Sequence, residues 1–412
     1  MMDKAHILIV SQYFYPEQFR INDICSELVK RGHHVTVLTG IPNYPQGKFY
    51  DGYGFFRKTR EKYNGADVIR LPLLPRGSGS IMMALNYLSF VVSGFFWSLF
   101  TSLDADYVFI YEVSPMTQAL PGVWYAKRKK IPSIIYVTDL WPENVEIVGG
   151  VHNRYILHML GKMVDYIYAR CNKIFVSSNS FVDAINGRGV PLQKLKFWPQ
   201  YAEEFYRPLP RENVDIPEIP ADGTFNIIFA GNIGLAQGLD ILPKTAKILK
   251  DRSIDVRFNI VGDGRFKEAL IKMVDEDSVS EYFNFVEKQP AERIPEFMSV
   301  CDATLISLSS NEIFKMTLPA KLPSCFACGM PVLVCADGEI QDVVRDADAG
   351  FSCNAGDHWG FADIIEKVSG LPCMELHVIG QNARRYFEDH FEKHKLLDDL
   401  ESEFVKVGNR NV

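Results

Sequence analysis

The chain reads as an α/β protein made of two doubly wound halves. Three observations carry this. Short apolar runs of strand length alternate with amphipathic helical segments along most of the chain. Glycine turns close two of the runs in the second half, and a proline-rich stretch without periodicity interrupts the alternation near the middle. At 412 residues the chain can hold two or three domains, each with its own core.

In the first half, residues 6–14 (HILIVSQYF) form a continuous apolar run, as for a strand buried on both faces. Residues 21–30 carry Ile21, Ile24 and Leu28 at helical spacing, and Gly32 stops that helix. Further strands are expected at 34–39, 66–71, 107–113, 133–137 and 172–177. Right-handed crossovers then give a doubly wound sheet. Residues 198–221 hold Pro199, Pro208, Pro210, Pro217 and Pro220, which places a boundary there. Strands resume at 225–230, 256–261, 283–286, 303–308 and 331–335, and 381–407 is a charged amphipathic helical region. The expected domains are 1–200 and 201–385, followed by a terminal helical segment, 386–412.

A net charge of −7 argues against nucleic acid as a partner, since its binders carry a basic face. Eight cysteines include one C-x-x-C, Cys325 and Cys328, with no second pair at zinc spacing. With 6–10 reading as a strand and no signal-peptide pattern at the start, reduced thiols and a cytoplasmic address are expected. Residues 85–103 (LNYLSFVVSGFFWSLFTSL) approach the length of a membrane span, interrupted by Asn86, Ser89, Ser93 and Ser98. A buried or interface-seated helix, a true span, and a surface helix that touches lipid transiently are the three readings.

The central motif is Gly231-Asn232-Ile233-Gly234 between the run 225–230 and an amphipathic helix expected over 236–250. Such a turn aims unpaired N–H groups at one spot and favours phosphate, although a plain strand–helix turn has the same letters. Gly262-Asp263-Gly264 is a second turn of this kind, at a strand end where an open parallel sheet binds ligands. Lys315 and Lys321 flank a predicted helix start, an unfavourable place for cations unless an anion is bound or solvent screens them. Asp139, in Asp139-Leu140-Trp141-Pro142-Glu143, follows a strand and is either a cleft residue or a helix cap. Glu17 and Arg20 fill the corresponding loop after the first strand. Asp104-Ala105-Asp106 precedes a strand instead of ending one, the wrong place for a metal-holding pair.

Taken in order, KRGHHVTVLTG (30–40), TDLWPENV (138–145), FAGNIGLAQGLD (229–240), IVGDG (260–264) and LPAKLPSCFACGMPVLV (318–334) resemble the retaining glycosyltransferases of GT-B fold, family-4 type. The N-terminal pieces look like those of bacterial O-antigen and capsule enzymes, L-fucosamine (N-acetylfucosamine) transferases among them. The resemblance implies two Rossmann-like domains facing a cleft. The first would bind a lipid-linked saccharide acceptor and the second a nucleotide-sugar donor, UDP-linked, with no metal or other cofactor required. It implies peripheral contact with the inner face of the cytoplasmic membrane. Amides near Gly231, Asn232 and Gly234, with those of Thr317 and Leu318, would hold the diphosphate alongside Gly262, Gly264, Lys315 and Lys321. Val286 and Lys288 would meet the base, and Ser324 would lie near the ribose.

The chain departs from the family in carrying Gln237 where a basic residue is usual. Met316 and Ser324 stand where a Glu-x7-Glu pair is usual, and Thr138 replaces a histidine. Lys321 is then expected to supply the missing charge, with Asp139 and Glu17 orienting the acceptor hydroxyl. The alternatives are a UDP-N-acetylhexosamine 2-epimerase on the same fold and a non-catalytic scaffold of a polysaccharide assembly complex.

Overall fold

A computed structural model describes residues 3–77 and 79–409. The chain divides into two compact units, Met1–Trp198 with Leu397–Val412, and Pro199–Leu396. Each is a Rossmann-like α/β layer structure around one sheet.

The first unit contains β1 (His6–Val10), β2 (His34–Gly40), β3 (Arg60–Tyr63), β4 (Ala66–Leu71), β5 (Tyr107–Glu112), β6 (Ser133–Val137), β7 (Lys173–Val176) and β8 (Leu195–Phe197). Its helices are α1 (Arg20–Lys30), α2 (Ser80–Phe100), α3 (Leu120–Lys129), α4 (Glu143–Ile147), α5 (Arg154–Arg170) and α6 (Asn179–Gly187). The strand order is β3-β4-β2-β1-β5-β6-β7-β8, parallel except for β3. Ile7, Leu8, Ile9 and Val10 of β1 are fully buried, as are Val108, Phe109 and Ile110 of β5, because helices cover both faces. The β1 run is shorter than expected: Ser11–Phe14 remain buried but leave the ladder at the carboxyl end. β3 and β8 were not expected. β3 joins β4 through Asn64-Gly65, both with positive φ (46° and 93°), the backbone of a two-residue hairpin turn.

The second unit contains β9 (Phe225–Asn232), β10 (Val256–Asp263), β11 (Phe283–Val286), β12 (Ala303–Ser307), β13 (Val332–Cys335) and β14 (Gly350–Cys353). They form an all-parallel sheet of order β11-β10-β9-β12-β13-β14. Its helices are α7 (Ile241–Asp251), α8 (Lys267–Glu276), α9 (Ile294–Ser299), α10 (Glu312–Met316), α11 (Lys321–Ala327), α12 (Glu339–Asp346), α13 (His358–Ser369) and α14 (Cys373–His390). The chain ends in α15 (Lys393–Asn409), whose residues from Leu397 onward complete the first unit. There Leu397, Leu400, Phe404 and Val407 are buried, and Phe404 meets Tyr107 and Phe109. Its acidic side pairs Glu401 with His33 (3.1 Å) and Glu403 with Lys196 (3.1 Å).

In both sheets the strand order reverses beside the first strand of the unit, between β1 and β5 and between β9 and β12. Ligands of open α/β sheets bind beyond the carboxyl ends at such a reversal.

Segment 85–103 forms most of α2, which is long and apolar enough to cross a membrane by length and composition. Its polar side chains face inward. Asn86 donates to the Leu74 carbonyl (2.5 Å) and accepts from Gln12 (2.8 Å), Ser89 accepts from the Leu74 amide (2.9 Å), and Ser93 donates to the Pro72 carbonyl (2.5 Å). Gly94 presses on α3, where a Cβ would come within 2.2 Å of Pro121. These contacts hold one side of α2 against the segment after β4 and against α3. Its outward stripe, Ile81, Leu85, Leu88, Val92, Phe95 and Leu99, is apolar and exposed.

Candidate functional site

In the second unit, β9 and β10 end side by side, with Gly231 opposite Gly262 and Asn232 opposite Asp263. Both glycines have positive φ, 140° and 149°. A Cβ on Gly262 would lie 2.0 Å from the Gly231 carbonyl oxygen, and one on Gly264 2.2 Å from that of Ile233. The backbones touch here, so no larger residue fits.

The chain after β9 differs from the expected helix over 236–250. A single 3-10 turn, Leu235–Gln237, closes on Gly238 in the left-handed conformation, and α7 starts only at Ile241. The Asp263 carbonyl takes the Ile233 amide (2.8 Å), and the 3-10 turn takes those of Gln237 and Gly238. Those of Gly234, Leu235 and Ala236 take no acceptor among the described residues, as the start of a helical turn requires. The Ala236 carbonyl accepts from the Ser309 amide (3.0 Å), and the Gly238 carbonyl from the Ser307 hydroxyl (3.2 Å), tying this loop to the end of β12.

Lys321, first residue of α11, reaches into this corner. Its Nζ donates to Gln237 Oε1 (2.8 Å) and lies 3.7 Å from the ring centroid of Phe229. A Cβ on Gly231 would meet Lys321 Cε at 2.9 Å. Burial lowers the Lys321 amine to about 7. No carboxylate pairs with it among the described residues; the one group opposing the shift is the buried Cys325 thiol. Lys321, Gln237, Gly231 and Gly262 thus meet at one point.

The other expected donor residues divide. Val286 ends β11 opposite Val261, next to β10, and exposed Lys288 follows it. Asn232 is exposed at the end of β9. Leu318 and Ser324 are buried. Two expectations need correction. The Thr317 amide is spent on the Phe314 carbonyl (3.1 Å), where it closes α10, and its hydroxyl on that of Ile313 (2.8 Å). Lys315 lies on the surface paired with Glu312 (2.7 Å), which raises its pKa, so its charge is already met. Cys325 and Cys328 are buried thiols that pack inside and after α11, with Cys325 pushed up to about 11 by burial.

The corresponding corner of the first unit is built from the ends of β1, β2, β5 and β6. Asp139, half-buried after β6, accepts from the Ser114 amide (2.7 Å), and Trp141 and Asn144 both donate to the Ser114 hydroxyl (3.0 and 3.1 Å). Asp139 is therefore no helix cap. Glu17 is 2% exposed and does not line a wall. Its carboxylate accepts from the amides of Asn43 (2.7 Å), Tyr44 (2.7 Å) and Phe14 (3.2 Å), clamping two loops together. Burial raises it to about 7 against the pull of those amides and Arg70. Arg20 is at the start of α1.

Sequence reasoning passed over the remaining groups of this corner. Glu112, last residue of β5, is fully buried, and neither carboxyl oxygen has a hydrogen-bond partner among the described residues. Burial and then the charge of Asp139 push its pKa well up, with the nearby Asp139 and Thr138 amides pulling the other way. Arg76 lies between β4 and α2, its guanidinium 5.2 Å from the Tyr44 ring centroid and 5.9 Å from that of Tyr87. Tyr13, stacked on Phe19 at 5.2 Å, accepts from Arg76 (3.3 Å). An acid ending an apolar strand, as in YVFIYE, is the signal that could have singled out Glu112. Asp104 and Asp106 are at the other end of β5, engaged with Lys129 (3.2 Å) and the His6 amide (2.7 Å).

Comparison with known proteins matches residues 18–199 to the glycosyl transferase 4-like domain and residues 212–386 to glycosyl transferases group 1. WcaI of Escherichia coli (strain K12), assigned as a colanic acid biosynthesis glycosyl transferase, is 25% identical over 348 residues, 80% of this chain and 83% of its own. Among solved structures, sucrose-phosphate synthase from Thermosynechococcus elongatus superposes with a TM-score of 0.76 at 14% identity, covering 98% of this chain and 99% of that one. Anabaena HepE in complex with UDP and glucose gives 0.69 at 14% identity, covering 98% and 100%.

Proposed function

This chain belongs to the group 1, family-4-like glycosyltransferases of GT-B fold, and from that premise we propose that it transfers a hexosamine from a UDP-sugar to a saccharide carried on a polyprenyl diphosphate, with retention at the anomeric carbon. The sugar proposed is N-acetyl-L-fucosamine or a related N-acetylated deoxyhexosamine, and the pathway class is O-antigen or capsule assembly. The similarity to WcaI supports a surface-polysaccharide role, and the UDP bound by HepE supports the nucleotide.

The observation that carries the reading is Lys321 above the paired glycine turns. In the reaction the bond between the anomeric carbon and the donor phosphate breaks, and the acceptor oxygen bonds to that carbon on the same face. The acceptor proton passes to the departing phosphate oxygen. Charge grows on the diphosphate, so fixed donors at that point lower the barrier most. The Gly234, Leu235 and Ala236 amides and the Lys321 ammonium are those donors. Asp139 would orient the acceptor hydroxyl, Glu17 holds the loops that shape its pocket, and no step calls for a metal. The exposed stripe of α2 would rest on the inner face of the cytoplasmic membrane and bring this corner to a lipid-borne substrate.

The test is incubation with UDP-N-acetylhexosamines, with and without a polyprenyl-diphosphate-linked N-acetylhexosamine. UDP release that requires acceptor, with the donor's anomeric configuration preserved by NMR, is expected. An epimerised nucleotide sugar formed without acceptor would make the protein an epimerase instead. Absence of any nucleotide binding would leave the scaffold reading.

A further inference from the structure

A half-buried cation costs free energy unless an anion faces it. Several other half-buried arginines obey this: Arg31 pairs with Asp398 (2.5 Å), Arg188 with Asp165 (2.8 Å), Arg257 with Asp222 (2.7 Å) and Arg384 with Glu388 (2.7 Å). Arg76 does not. Its guanidinium donates to the Tyr13 phenol oxygen (3.3 Å) and the Met83 thioether (3.3 Å), and no carboxylate lies within ion-pair distance among the described residues. Five donors in a planar fork, two of them on weak acceptors, leave most of the fork unspent. The neighbours hold the group in place without neutralising it: Tyr44 and Tyr87 flank it, and the Arg76 amide donates to Asn43 Oδ1 (3.0 Å).

Two placements say what kind of anion belongs there. Arg76 is bonded to Tyr13 and Asn43, which lie in the segments that follow β1 and β2, the strands whose carboxyl ends build the Asp139 corner. The cluster therefore adjoins the corner assigned above to the acceptor. It also sits where α2 begins, beside the exposed apolar stripe that starts at Ile81. An anion bound there would have polar sugar contacts on one side and an apolar surface on the other. That combination is the head of an amphiphile.

We propose that Arg76, with Tyr13, Tyr44 and Tyr87, is the subsite for the phosphate or diphosphate of a lipid-linked acceptor, holding the charged head while the alkyl chain stays at the apolar face of α2. The inference rests on the transferase reading and adds the acceptor's anionic group to it. Tyrosine hydroxyls donate to the same oxygens, so the site recognises phosphate by charge and by neutral donors together.

The experiment uses the full chain and three probes: farnesyl diphosphate, farnesol and inorganic diphosphate, with UDP as an internal reference for the second unit. Binding is read by tryptophan fluorescence and calorimetry. Farnesyl diphosphate should bind at least about tenfold more tightly than either farnesol or inorganic diphosphate. Arg76→Ala should lose that advantage while binding UDP unchanged and melting as the wild type does. Arg76→Lys should keep part of it, since charge remains but the fork does not. Equal affinity of wild type and Arg76→Ala for farnesyl diphosphate removes the subsite and leaves the transferase reading intact. Inorganic diphosphate binding as tightly as farnesyl diphosphate overturns the lipid as the source. Loss of UDP binding in the wild type would instead defeat the transferase reading itself.

Discussion

Lys321 Nζ lies 3.7 Å from the centroid of the Phe229 ring, so the cation that faces the glycine turns is held by an aromatic face and one amide oxygen instead of a carboxylate. A ring and a neutral oxygen fix its position while leaving its charge available. On the proposed reaction, removing it takes away a positioned donor to the leaving diphosphate. Lys321→Ala should lower kcat/KM by a factor equivalent to about 2–4 kcal/mol. Steady-state kinetics with saturating acceptor decides this, and an unchanged kcat/KM would take Lys321 out of the mechanism.

On the proposed reading, the same lysine should make nucleotide binding depend on pH. Its amine is lowered from 10.5 to about 7 by burial, so the folded protein alone releases the proton near neutrality. A bound diphosphate favours the ammonium and raises that value again. UDP affinity should therefore fall as pH rises from about 6 to about 8.5, with proton uptake on binding near neutral pH. Calorimetry in buffers of different ionisation enthalpy measures the uptake, and Lys321→Ala should abolish it.

Gly262→Ala tests the contact between the glycine turns. The substitution forces a Cβ to within 2.0 Å of the Gly231 carbonyl at φ 149°. A loss of stability of at least about 1–3 kcal/mol is expected from the backbone alone, together with loss of UDP binding. Thermal melting followed through Trp359, the one tryptophan of the second unit, reads the first effect.

Glu17 predicts a pH dependence of stability for the first unit. Its carboxyl is raised from 4.5 to about 7, so the folded state binds the proton more tightly than the unfolded chain. Stability from this group is full below about pH 4.5 and is lost as pH rises through 7, by at most about 3 kcal/mol. Glu17→Gln should flatten that slope, although its NH2 then faces one of the three amide donors. Denaturation followed by the tryptophans of this unit, between about pH 4.5 and about pH 8, gives the comparison.

The α2 stripe is tested by flotation with phosphatidylglycerol vesicles. Phe95 packs edge-on against Trp124 at 5.3 Å, so Leu88 (58% exposed) and Phe96 (54% exposed) are the cleaner targets. Leu88→Asp/Phe96→Asp should abolish flotation without lowering the melting temperature. Equal flotation by both proteins would reject the stripe as a membrane contact.

The second sheet was legible because its strands are continuous apolar runs, and Gly231 and Gly262 mark their ends with the one residue that allows such backbone contact. Lys321 was legible as a cation at a helix start. What the letters did not show was where charges are already met: Lys315 looks equivalent to Lys321 until Glu312 is seen beside it, and Thr317 offers an amide until α10 uses it. Glu17 looked like a cleft acid because its loop is polar; only the fold reveals three amides converging on it. The helix expected from residue 236 failed because Gly238 takes the left-handed conformation and ends the turn first. Arg76 carried no signal at all, since its meaning comes from partners it lacks.

The final helix has a consequence for how the protein is made. Leu397, Leu400, Phe404 and Val407 fill the core of the first unit, against strand residues nearly three hundred positions earlier in the chain. A ribosome that has finished residues 1–198 has produced an apolar surface with nothing to cover it. That surface waits through synthesis of the whole second unit, which makes the nascent first unit a natural client for a chaperone.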